Sequence, residues 1–95
     1  PSNDGNMITV PIPALSQERR QELVRILKKK LEDGKVSVRN VRRDGLESLR
    51  KLEKDKLISQ DENHRARDQL QKTTDGHTKT IDQVGTAKES EILQV

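Results

Sequence analysis

Phenylalanine, tyrosine, tryptophan and cysteine are all absent from this chain of 95 residues. Aromatic side chains bury the most area per residue, so without them only aliphatic groups can build an interior. These are scarce as well, since hydrophobic residues make up 28% of the chain against 37% charged. A broad compact core is not expected; the composition is that of long helices packed side by side and overlaps with that of disordered chains, so periodicity has to decide between them. The lack of cysteine rules out disulfide frameworks and thiolate zinc sites and fits a reducing compartment. No apolar run approaches the 18 or more residues of a membrane span, and no signal-peptide pattern is present. Proline stops at Pro13, which leaves the rest of the chain free to form uninterrupted helix.

What is present is organised around Lys35 to Asp44, KVSVRNVRRD. At about 100° per residue, positions three or four apart share a helix face. Val38 and Val41 are thereby placed on one face, and Lys35, Arg39, Arg42 and Arg43 on the other. The segment has an apolar side and an arginine side.

In chain order, Pro1 to Asn6 is a run of turn formers and the one methionine is Met7, so the sequence reads as a fragment. Met7 to Val10 has the β-branched character of a strand whose sheet lies elsewhere. Pro11 and Pro13 fix φ twice and remove two amide donors, which makes a stiff hinge. Ser16 is a suitable N-cap, with Glu18 in the first turn, for a helix that runs to about Lys56. Val24, Leu27, Leu31, Gly34, Val38, Val41, Gly45, Ser48 and Leu52 step by threes and fours along it, and Leu23 and Leu49 widen the seam into a stripe. Lys56-Leu57-Ile58 closes the helix, and Ser59 with Glu62 opens a second through a capping box.

The second seam runs Ala66, Leu70, Thr73, His77, Ile81, Val84, Lys88, Ile92 and Val95. It is poor in aliphatics, and its threonines together with Gly76 and Gly85 predict fraying. A short connection between two long helices makes an antiparallel hairpin. The stripe on the first helix exceeds what the second can cover, so a third helix is implied. Gly34 and Gly45 fall in the seam, where they either admit a close neighbour or are tolerated weak points. The fold class expected is all-α: two helices of an incomplete three-helix bundle, with an extended N-terminal segment.

Charge is uneven. Residues 16–56 carry a net +6, residues 57–95 a net −2, and Asp4 completes the total of +3. On the first helix Arg25, Lys28, Lys29, Lys35, Arg39, Arg42, Arg43, Arg50 and Lys54 fall within an arc of about 140° opposite the stripe. Such a ridge suits a phosphate backbone, and guanidinium forks suit bidentate contacts to phosphate. The competing reading is a merely solvated face, and Glu32 and Glu53 interrupt the ridge. For chemistry there is little: His64 and His77 stand without a second ligand or a clustered carboxylate, and neither a glycine-rich phosphate loop nor a nucleophile motif occurs. Nothing supports an enzyme, a cofactor or a metal site.

These residues carry a resemblance. Ile8 to Pro13, Leu15 to Arg20 with Glu22-Leu23-Val24, and Lys35 to Asp44 are similar to the ribosome recycling factor family. Leu57 to Glu62, Gln71 to Asp75 and Lys88 to Leu93 match in the same order. The resemblance implies a long three-helix bundle joined by proline hinges to a small β-rich domain. Residues 1–13 then correspond to the last strand and hinge (Pro11, Pro13) of that domain, and residues 14–95 to a helical domain lacking its first helix. It also implies a non-enzymatic factor that binds the large ribosomal subunit and, with elongation factor G, disassembles the post-termination complex. The expected partners are large-subunit RNA, elongation factor G and ribosomal proteins, with no membrane. The location would be the bacterial cytoplasm or an organellar matrix or stroma. The family's RNA-contacting arginines fall on Arg39, Arg42 and Arg43. Lys35, Arg25, Lys28 and Arg50 extend the same ridge. Gly45, Gly76, Gly85, Thr73 and Thr78 depart from the family's usual helix formers and aliphatics. The alternative from another class is a structural coiled-coil hairpin whose basic face is merely solubilising.

Overall fold

The computed structural model describes residues 16–94. Two helices account for nearly all of them: α1, Gln17–Lys54, and α2, Gln60–Leu93. The expected strand at Met7 to Val10 and the hinge at Pro11 and Pro13 lie outside the described residues.

Both helices start where short polar side chains can satisfy orphan amides. The Ser16 hydroxyl accepts from the Arg19 amide at 3.1 Å. Ser59 does the same for Glu62 at 3.0 Å, while the Glu62 carboxylate accepts from the Ser59 amide at 2.8 Å, completing the capping box. Between them α1 stops in a Schellman turn: the Leu57 amide reaches the Leu52 carbonyl and the Lys56 amide the Glu53 carbonyl, each at 2.9 Å. The residue that turns the chain is Lys56, at φ 61°, where glycine is the usual choice. This compact stop reverses the chain within a few residues.

The hairpin is antiparallel, and its register is set by glycines. A Cβ on Gly34 would sit 3.5 Å from the Ile81 Cδ1, one on Gly45 2.8 Å from the Leu70 Cδ2, and one on Gly85 would collide with Leu31. Along α1 these contacts ascend from 31 to 45 while along α2 they descend from 85 to 70. Gly45 and Gly85 are therefore sites of close approach, and the reading of Gly85 as a simple weak point is corrected. Asn63 and Thr74 are the other buried residues of α2. Asn63 donates from Nδ2 to the Glu53 carboxylate at 2.5 Å, which ties the helices beside the turn. At the open end Arg20 donates to the Ile92 carbonyl at 2.6 Å and to that of Gln94, so a side chain of α1 caps α2.

The phase of α2 differs from expectation. The face against α1 runs through Asn63, Leu70, Thr74, Ile81, Gly85 and Ile92. Thr73, His77, Val84 and Lys88, expected in that seam, are exposed. Hydropathy favours Val84 over Gly85, but the Leu31 side chain occupies the space a Cβ would need at Gly85, so glycine fits against α1 there and a branched side chain does not. α2 continues to Leu93, with the hydroxyls of Thr74, Thr78 and Thr80 donating to carbonyls four residues back at 3.0 Å, and with its last carbonyls capped by Arg20.

Among the described residues no hydrophobic side chain is fully buried. Val41 is 63% exposed and Val84 58%, and Ile26, Val36 and Leu52 also face outward. Val41, expected to share Val38's buried face, stands at the edge because it lies about 60° further round α1. The object measures 72 × 25 × 16 Å, one helix layer thick. No helix among the described residues is long and apolar enough to cross a membrane.

Candidate nucleic-acid interface

α1 is 38 residues long and at about 1.5 Å per residue presents its basic side chains along a rod of about 57 Å. The continuity of the helix through Arg25, Lys28, Lys35, Arg39, Arg42, Arg43 and Arg50 places them on one flank, but their surroundings differ.

Four have carboxylate partners. Lys35 reaches across to Asp82 on α2 at 2.5 Å and retains 28% of its side-chain exposure. It serves the helix pairing and is not on the free face expected for it. Arg39 meets Glu32 at 3.0 Å, Arg43 approaches Asp44 at 3.6 Å, and Arg50 meets Glu47 at 2.5 Å. The hydrogen bond from Arg50, and then its charge, holds the Glu47 carboxyl below its ordinary range, and the same pair raises the Arg50 guanidinium. All three pairs lie at the surface, where solvent screens such contacts, so an incoming phosphate can replace them.

Arg42 is different. It is half-buried, because its position about 20° from Leu31 and Leu49 brings it to the α2 side of the ridge rather than opposite the stripe. It forms no ion pair with any described residue. Arg25 and Lys28, nearer the start of α1, are exposed and also without an ion pair among the described residues. The ridge thus holds paired cations at Lys35, Arg39, Arg43 and Arg50, and unpaired ones at Arg42, Arg25 and Lys28.

Sequence reasoning missed the contribution of α2. Arg42, Arg43, Leu46, Glu47 and Arg50 form one wall of a cleft of about 350 Å³, and Arg67 forms the other. A neighbouring cleft of about 400 Å³ beside the turn shares Arg50 and Arg67 and adds Lys54 and His64. The net charge of −2 on residues 57–95 hid Arg67, since most of the acids responsible lie further along α2. The available signal was phase: Arg67 is four residues after Asn63 and three before Leu70, so it borders the face that meets α1.

The opposite groove has another chemistry. Val38, Val41, Leu70, Thr73 and His77 line a depression of about 370 Å³ with no carboxylate and no lysine or arginine. His77, placed in the α2 seam by the sequence pattern, stands exposed at its edge. The hairpin therefore carries a cationic groove on one side and an apolar groove on the other.

A family model described as ribosome recycling factor matches residues 1–93. Over all 95 residues the chain is 50% identical to the ribosome-recycling factor of Chloroflexus aurantiacus. It is 52% identical to those of Carboxydothermus hydrogenoformans and Rickettsia massiliae. In each case the whole of this chain aligns with 51% of the relative, so it spans about half the length of the curated relatives it matches.

Proposed function

The chain belongs to the ribosome recycling factor family, and from that premise we propose that its arginine flank docks on large-subunit ribosomal RNA during disassembly of the post-termination complex. Elongation factor G is the expected co-factor protein, and the cytoplasm or an organellar matrix the expected place. Residues 1–13 act as the last strand and hinge of a small β-rich domain, and residues 14–95 as the helical domain that the RNA meets. The task needs no bond-making chemistry from this chain. It needs a stiff rod that places cations at fixed spacing against phosphates.

The observation that carries this reading is Arg42: a half-buried residue with no ion pair among the described residues, flanked by Arg39 and Arg43. A guanidinium left without a carboxylate on a flank of further arginines is available to a phosphate, and its fork suits a bidentate contact. Its neighbours can exchange weak surface pairs for the same partner.

The test is a salt series of binding titrations with large ribosomal subunits. Each phosphate neutralised releases condensed counterions, so affinity falls linearly with salt on logarithmic axes. Arg42→Ala should weaken binding and flatten that slope by somewhat under ~1 unit. Arg42→Lys should restore the slope and only part of the affinity, because an ammonium lacks the bidentate fork. Arg19→Ala, paired with Glu22 at 2.8 Å on another face of α1, is the control. An unchanged slope and affinity in Arg42→Ala, with helicity intact, would leave the ridge as a solubilising surface of a structural hairpin.

A further inference from the structure

We propose that the RNA-binding surface is not confined to α1 but is a two-helix cleft, in which Arg67 of α2 and Arg42 of α1 grip the phosphodiester backbone from opposite walls. The proposal rests on the reading of the arginine flank as an RNA interface and adds a residue and a geometry to it.

Three observations support it. First, the cleft of about 350 Å³ between the helices is lined by four guanidiniums, those of Arg42, Arg43, Arg50 and Arg67, and one carboxylate, that of Glu47. Glu47 is already engaged by Arg50 through two hydrogen bonds, at 2.5 and 3.2 Å. Second, neither Arg42 nor Arg67 has an ion pair among the described residues. Cations that face each other across a concavity, neither of them ion-paired, repel each other, and the concavity focuses their potential on an anion placed between them. Third, the adjoining cleft of about 400 Å³ carries the same surface on toward the turn, adding Lys54 and His64, while its one acid, Glu53, is occupied by Asn63. The cationic lining therefore continues along the hairpin beyond a single phosphate.

That continuity selects the ligand class. Beyond the cleft the positive flank runs on through Arg39, Lys28 and Arg25 along one continuous helix, which suits a polyanion with regularly repeated charge. A single carboxylate would need only one of the arginines. Towards the open end the flank of α2 becomes acidic, with Asp82 paired to Lys35. The two-walled part of the site is accordingly limited to the half of the hairpin nearest the turn.

The experiment compares Arg67→Ala, Arg42→Ala and Arg65→Ala in the full chain, titrated against isolated large ribosomal subunits over a salt series. Helicity is checked beforehand by circular dichroism, and alanine favours helix at all three positions. Arg65 is exposed on α2, about 160° from Arg67, and has no ion pair among the described residues. Arg67→Ala should flatten the salt slope about as much as Arg42→Ala does, and Arg65→Ala should leave it unchanged. If Arg42→Ala flattens the slope and Arg67→Ala matches the unsubstituted chain, the cleft is overturned and the α1 ridge stands. If neither changes it, both readings fail. Equal flattening by Arg65→Ala would show a response to overall charge and would also overturn the cleft. Competition separates the ligand classes: tRNA should displace the bound subunit at anion concentrations where polyglutamate does not, and the reverse would reassign the cleft to an acidic peptide.

Discussion

Val41 and Arg42 are neighbours in sequence, yet they line opposite grooves of the hairpin. One step of about 100° round the helix separates them. Two helices side by side make one layer with two grooves, and a single helix can dress them differently because its side chains fan out round the axis. The apolar groove, with Val38, Val41, Leu70 and Thr73, exposes aliphatic surface to water and gains from being covered by another apolar face. The cationic groove, with Arg42, Arg43, Arg50 and Arg67, is stable in water and gains from an anion. On the proposed reading, folding and binding fall on opposite sides of one rod, so each should be alterable without the other.

The largest effect expected tests the apolar side. With no hydrophobic side chain fully buried among the described residues, the hairpin lacks the packing from which long helices draw most of their stability. The chain alone should lose its circular dichroism signal broadly on heating, without a cooperative transition. A sharp transition independent of concentration would mean that two helices suffice, and the apolar groove would then be an ordinary surface. Val41→Ala sharpens the point: it should leave the isolated hairpin nearly unchanged, because Val41 is 63% exposed. In a chain of the relatives' full length, where a third helix is proposed to cover the groove, it should cost about 1–2 kcal/mol by urea denaturation.

Between the grooves lies the line where the helices touch, and two glycines of α2 distinguish that line from the outer surface. A Cβ at Gly85 would collide with Leu31, whereas one at Gly76 would meet nothing within 4 Å. In a chain of full family length, Gly85→Ala should lose about 1 kcal/mol, as an overpacking penalty of about 1–3 kcal/mol outweighs a helix-propensity gain of about 1. Gly76→Ala keeps the gain without the penalty and should stabilise by about 0.5–1 kcal/mol. Opposite signs in urea denaturation would confirm the phase of α2. A stabilising Gly85→Ala would return the contact face to Val84.

The same residues show how far the sequence could be read. Helix starts were legible because Ser16 and Ser59 act through local hydrogen bonds a few residues long, and the stripe on α1 was legible because leucine and valine recur along it. The phase of α2 was not. Its apolar positions are too few to choose between Thr73 and Thr74, and the close approach at Gly85 depends on Leu31, more than fifty positions away. The site followed the same rule. The cations of α1 could be placed on one flank by angle alone, but the pairing of Lys35 with Asp82 and the place of Arg67 beside Arg42 depend on the register between helices, which no local pattern carries.

The smallest effect expected is on pH, and it divides the turn from the cationic groove. Glu62 is held below its ordinary carboxyl range by the hydrogen bonds it shares with Ser59, backbone first, and Glu47 by Arg50. A carboxyl whose folded pKa is depressed contributes stability that is fully present above its unfolded value, about 4.3 for glutamate, and is lost as pH falls through the lower folded value. Acid should therefore cost the hairpin helicity below about pH 4. Glu62→Gln keeps an oxygen acceptor for the Ser59 amide without a titrating proton, so it should reduce that acid loss while leaving α2 capped. Glu47→Gln acts in the groove. It releases Arg50 at every pH and should steepen the salt dependence of subunit binding at neutral pH, as one more guanidinium becomes free for phosphate. Acid melts followed by circular dichroism test the first, and salt-series titrations the second. Helicity that rose on acidification, or a slope indifferent to Glu47→Gln, would show that these carboxylates do not tune the turn and the cleft as their hydrogen bonds indicate.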